Sequence, residues 1–413
     1  MGGAEEDDAE TDYTENIRRM ILKISTAIMI SVVGPASAWN VNQEKGLMAY
    51  ILVYIVAKFL ASLVASRNAK IAIFSYRFAP FLLVISGSIL LLSSHDFVFL
   101  LLLPTLLGTY EGAYWAVYFD YKAWKKESIV DETSGLHTNK SPIGVNRPSL
   151  ENTIKAKGIS VPFAVCQFVV LNSMRFVALE RGGVLSLAGL VVIAELAAYI
   201  IGLIYTKIRE STIENSDVDA KLWLGGQLVL LGGIVLMALG HLNDHFPIFL
   251  FGWFIAQGSA RGILRKIEIL WAQSHLKGEK VGYKRRPDLD RFQRNEVIAA
   301  CLGVGATVSL VALEQDPLSS ALLGSLAALV GFLLPFPKFN IHSHPEQSSR
   351  EIGLRERFKF NAHMVLSLAA IPFALLLSLH LFILTMLLSG FLSSILAVVV
   401  ADTPEFAPTT IAN

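Results

Sequence analysis

Read as a pattern of apolar and polar positions, the chain is a series of long apolar runs separated by shorter polar ones. The runs lie at 20–39, 46–66, 71–94, 97–119, 158–179, 183–206, 221–241, 247–267, 295–313, 318–335, 360–379 and 381–402. Each is about as long as the roughly 20 residues a helix needs to cross a hydrocarbon core about 30 Å thick. The pattern predicts an all-α, polytopic membrane protein with about twelve transmembrane helices in two six-helix bundles. The first run carries Lys23, the third carries Arg77, and only His380 separates the last two, so eleven and thirteen are the neighbouring counts. The expected division is an acidic cytoplasmic tail at 1–16, an N-terminal bundle at 17–206 and a cytoplasmic linker at 207–220. A C-terminal bundle at 221–402 and a cytoplasmic tail at 403–413 complete it.

The polar connections give the orientation. Lysine and arginine gather in alternate loops: Arg67 and Lys70, then 120–157, Lys207 and Arg209, 268–294, and finally 338–359. The loops between hold little beyond Lys45 and Arg181. Basic loops stay in the cytoplasm, so both termini are expected inside, and an even number of spans satisfies that. The basic run Lys284–Arg285–Arg286 reads first as an orientation signal and second as a contact for anionic lipid.

Composition agrees with the membrane reading: 53% of residues are apolar and 17% charged, too few charges for an ordinary soluble protein. The segment from Met1 to Asn16 is polar and acidic, without the basic start of a secretory signal. It is expected to be a solvated tail. Cys166 and Cys301 sit in apolar runs and read as packing residues.

No nucleotide-binding loop, zinc-ligand spacing, nucleophile elbow or dinucleotide fingerprint is present. No cofactor, metal, nucleic-acid partner or enzymatic activity is therefore expected. His241 and His245 flank Asp244 in a short turn, where they are expected to be solvated.

Charges inside the spans carry more information, because placing one in lipid costs about 2.5–3.5 kcal/mol on insertion scales. Glu195 lies near the middle of its run, in Val-Ile-Ala-Glu-Leu-Ala-Ala-Tyr. A desolvated carboxyl favours its neutral form, which suits proton coupling; a structural tie between two helices is an equal alternative. Glu111, Tyr114, Trp115 and Tyr118 share one helical stripe. They form either a polar, aromatic wall that binds a solute or an interfacial aromatic belt. Gln257, Arg261, Arg265 and Glu268 share another stripe, and two arginines one turn apart suit a carboxylate or phosphate. Arg265 also fits a plain boundary marker. Substrate binding or gating is thus assigned to Glu111, Tyr114, Trp115, Arg261 and Arg265, and proton coupling to Glu195.

Two short segments echo one another: Gly108-Thr-Tyr-Glu-Gly112 and Gly258-Ser-Ala-Arg-Gly262. Glu111 and Arg261 lie at the same depth, roughly 22 Å from the outer end of their spans at about 1.5 Å per residue. They are expected to pair with each other and hold a cavity closed on the cytoplasmic side.

The loop after the second span reads Ala65-Ser66-Arg67-Asn68-Ala69-Lys70, with two basic residues but neither the glycines nor the acid of a known signature. With twelve spans, cytoplasmic termini and a break between spans six and seven, the organisation resembles the major facilitator superfamily of secondary transporters. That resemblance implies two bundles that rock to expose a central cavity to each side in turn. The expected function is secondary transport of a small solute, an anion among the candidates, across the bilayer that surrounds the helices. A polytopic enzyme acting on lipids and a non-transporting scaffold are the alternatives.

Overall fold

The computed structural model describes residues 3–65, 69–92, 96, 98–114, 150–210, 218–265, 287–312, 317–335 and 377–400. Among these, helix is the only regular structure. The elements are α1 (Gly3–Thr26), a π-helical stretch (Ala27–Val33) and α2 (Gly34–Ala65), then α3 (Ala69–Leu92) and α4 (Val98–Tyr114). They continue with α5 (Leu150–Glu210), α6 (Val218–Leu242) and α7 (Phe246–Gln257). A second π-helical stretch (Gly258–Leu264) precedes α8 (Pro287–Ala312), α9 (Pro317–Leu333) and α10 (Leu379–Val400). Every predicted run except 360–379 falls on helix over nearly all of its described residues; that one lies almost wholly outside them.

Four stretches are long and apolar enough to cross a membrane: Tyr13–Ala65, Ile73–Leu92, Leu171–Ile208 and Lys221–Leu242. They mark an integral, multi-pass membrane protein. Large apolar side chains such as Phe74, Leu92, Val98, Phe251 and Leu326 are exposed, as lipid-facing positions would be.

The first stretch, 53 residues long, would be about 80 Å as one straight helix. It folds back instead. Asn42 (φ −153°, ψ 42°) and Gln43 (φ 40°, ψ −124°) interrupt the helix, and Gly34 then lies against Tyr50 and Ala38 against Gly46. That antiparallel register is centred on Asn42. In α5 the break falls at Gly182 (φ −152°, ψ 15°) and Gly183 (φ 59°, ψ −144°), and the similar torsions reverse the chain in the same way. A third reversal, through Asn243, Asp244 and His245, joins α6 to α7. There Gly240 meets Phe249, Gly233 meets Ala256 and Met237 meets Gly252. The heptad spacing of Gly226, Gly233 and Gly240 puts all three on one face of α6, and the missing side chains let α7 approach backbone to backbone.

The first π-helical stretch has a local cause. Pro35 has no N–H to offer the carbonyl of Ser31, and the ladder shifts to i→i−5 bonds, as in Gly34 N–H to Met29 O.

The chain forms two compact units, Met1–Val145 with Leu302–Met364, and Asn146–Cys301 with Val365–Asn413. The boundaries differ from the expected division at 207–220, because each unit draws helices from both halves of the sequence. In the first unit α9 packs against α3 and α1, with Gly87 on Ser325, Gly324 on Met29 and Gly331 on Leu22. In the second, α10 packs against α5 and α6, with Phe176 edge-on to Phe382. Hydropathy locates these helices but carries no information about which neighbour each one chooses.

Candidate functional site

Arg261 lies in the second π-helical stretch, between Gly258 and Gly262. Both glycines press on α5: a Cβ at Gly258 would strike Ile201, and one at Gly262 would strike the Ala198 carbonyl and the Gly202 nitrogen. The two helices run parallel here, and Trp253 Nε1 donates to the Leu190 carbonyl at 3.1 Å one level away. This close approach delivers the Arg261 guanidinium to Glu195, with Nη2 donating to Oε1 at 2.7 Å. The Glu195 side chain is 9% exposed and that of Arg261 is 20% exposed. A carboxylate in the middle of an apolar helix is thus matched by a cation from the neighbouring one. The ladder changes to i→i−5 in the π-helical stretch, as in Arg265 N–H to Ala260 O; such bulges recur at functional sites.

Glu111 occupies the corresponding place in the first unit. Gly108 and Gly112 of α4 press on Tyr54, Ala57, Lys58 and Ala61 of α2, again with the helices parallel. Lys58 Nζ donates to Glu111 Oε2 at 3.0 Å and lies 5.8 Å from the centre of the Tyr54 ring. The sequence expectation paired Glu111 with Arg261; the structure shows a partner for each on an adjacent helix of its own unit. The Lys58 ammonium is thus tied to this carboxylate.

Tyr114 is fully buried. It stacks on Tyr76 with ring centres 4.8 Å apart and on Tyr110 at 5.6 Å. An aromatic belt facing lipid is excluded for this residue. Trp115 lies outside the described residues, as do Tyr118 and Glu268. Arg265, half-buried, follows Arg261 by one turn at the end of the π-helical stretch.

The tyrosine stack leads to a polar cluster that the sequence reading missed. Glu15 and Arg18, on α1, are 4% and 1% exposed. The Tyr76 hydroxyl donates to Glu15 Oε1, and Arg18 lies 3.8 Å from the other carboxylate oxygen and 5.2 Å from the centre of the Tyr76 ring. Arg18 Nε also donates to the Gly331 carbonyl at 3.1 Å. Gly331 is in the last turn of α9, where carbonyls lack intrahelical partners and cations are favoured. Within the expected solvated tail at 1–16 the backbone is helical from Gly3, and Glu15 departs from the expectation by being interior, while Tyr13 is exposed. The available signal was the i, i+3 spacing of Glu15 and Arg18, with Arg19 adjacent, on the entry to an apolar run.

His241 also departs from expectation. It is buried and stacks on His380 with ring centres 4.4 Å apart. Arg181 bonds Asp244 in the adjacent turn, while His245 is exposed. Among the described residues, no group of three or more His, Cys, Asp and Glu side chains gathers as a metal site would require. No protein-family model matches the chain, and no curated protein sequence matches it.

Proposed function

We propose that this chain is a secondary transporter that moves a small solute, with an anion favoured, across the membrane in which it is embedded. The observation that carries the reading is the Glu195–Arg261 pair. Isolated charges in an apolar span are costly, and a structural tie between two glycine-packed helices needs neither of them. A pair of this kind is suited to two-state chemistry. Protonation of Glu195 cancels its charge, releases Arg261 and leaves a guanidinium whose fork matches a carboxylate or phosphate. The π-helical stretch carrying Arg261 supplies a local place where the ladder can change register. Twelve spans with both termini in the cytoplasm complete the proposal, supported by the alternation of basic loops with loops that hold few lysines or arginines.

The test is solute uptake by the purified chain in liposomes, screened across organic and inorganic anions with and without an imposed pH gradient. Glu195→Gln is expected to abolish proton-driven accumulation while preserving the elution profile and exchange without a gradient. Accumulation unchanged at every pH would return Glu195 to a structural role. Absence of flux for every solute class would count against transport itself.

A further inference from the structure

We infer that the chain contains one helical module twice, and that Lys58–Glu111 in the first copy is the counterpart of Glu195–Arg261 in the second, a further site of proton exchange with its polarity reversed. This rests on the proposed reading only in taking Glu195 as a proton-exchanging group.

Four independent features coincide. Each copy opens with two helical arms joined by a two-residue break of similar torsions, at Asn42–Gln43 and at Gly182–Gly183. In each, a later helix lays a Gly-x-x-x-Gly frame parallel to the second arm: α4 on α2, and the stretch after α7 on α5. In each, the residue just before the second glycine is charged and reaches a charge of opposite sign on that arm: Glu111 to Lys58, Arg261 to Glu195. A distant helix then completes each copy by packing on the first-arm element and on the third helix: α9 on α1 and α3, α10 on α5 and α6.

The reversed polarity argues against a purely steric repeat. Close helix approach needs only the glycines, yet both copies keep a cation and a carboxylate at the contact, exchanged between helices. What is common to the two is the chemistry of a carboxylate held ionised by a cation across an apolar helix pair. When the cation leaves, the carboxyl is stranded in apolar surroundings and takes up a proton. In the first copy the cation is a lysine, and its Nζ can itself give up a proton, which the guanidinium of the second copy does not do.

A hydrophobic carbodiimide tests this in the full chain reconstituted in liposomes, because the reagent adds to protonated carboxyls in apolar sites and the adduct is located by peptide mass. Glu111 and Glu195 should both be modified increasingly as pH is lowered. Lys58→Met should raise modification several-fold at Glu111 alone, and Arg261→Met several-fold at Glu195 alone, while Lys58→Arg should keep Glu111 protected. In the double variant K58E/E111K, which gives the first copy the polarity of the second, modification should pass to position 58. That variant retains an ion pair, so it guards against a misfolded single substitution. Modification confined to Glu195 would overturn the inference and leave the proposed function standing. Modification at Glu111 alone would overturn the proton role of Glu195 and the equivalence with it, and modification at neither would overturn both.

Discussion

Replacing Arg18 by methionine removes a guanidinium that is 1% exposed while retaining most of the packing of its stem. Two consequences follow. The Gly331 carbonyl loses its 3.1 Å partner, and the Leu334 N–H, three residues on, already serves the Val330 carbonyl. A hydrogen bond to a charged group is worth about 1.5–3 kcal/mol. Glu15, 4% exposed, keeps the Tyr76 hydroxyl but loses the guanidinium 3.8 Å from its other oxygen. Breaking a buried pair from one side costs about 3–5 kcal/mol, largely through the charge left behind. These figures overlap, and the total expected is about 3–5 kcal/mol. Removing both charges, in Glu15→Gln with Arg18→Met, should recover at least about 1 kcal/mol relative to the summed single variants, since the two groups share one network. The assay is equilibrium unfolding in mixed micelles, with Arg77→Met as the control. Arg77 is exposed, with its guanidinium 5.9 Å from the centre of the Phe78 ring. If Arg18→Met falls within about 0.5 kcal/mol of that control, the ordinary range for surface changes, the cluster does not hold α1 to α9.

Three further outcomes are expected. Gly233→Val should drive a side chain into the Ala256 backbone and destabilise the α6–α7 hairpin by about 1–3 kcal/mol or more, read as a lower thermal midpoint in detergent. Gln43→Gly should stabilise by about 1 kcal/mol, because Gln43 holds φ 40° where the matching turn already has Gly183; an unchanged midpoint would mean that the torsion is unstrained. Reporter fusions after Lys140, Arg286, Arg350 and Asn413 should read as cytoplasmic, and fusions near Lys45, Arg181 and Asp244 as the opposite side; a cytoplasmic signal at Asp244 would overturn the span count around the seventh and eighth runs.

The length of the apolar runs made the helices legible because lipid imposes a length and a composition on every span. The apolar runs meet at 39–46 and 179–183, and the structure breaks the helix at 42–43 and 182–183, inside both intervals. Glu111, Glu195 and Arg261 stood out for the same reason, since a charge in an apolar run is conspicuous in one dimension. Even the echo between Gly108–Gly112 and Gly258–Gly262 was visible as five residues with two matched glycines. Its meaning was not, because the meaning lies in the partner helix. Lys58 gained a role only when α4 brought Glu111 to within 3.0 Å. Glu15 looked like the end of a tail until it met the Tyr76 hydroxyl and Arg18, itself tied to the last turn of α9 more than 300 positions along the chain. The sequence by itself determined that the chain is helical, membrane-embedded and charged at a few internal points. Only the tertiary structure decided which charge neutralises which. An ion pair is a property of two helices in register, and hydropathy, read along one helix at a time, holds no record of the second.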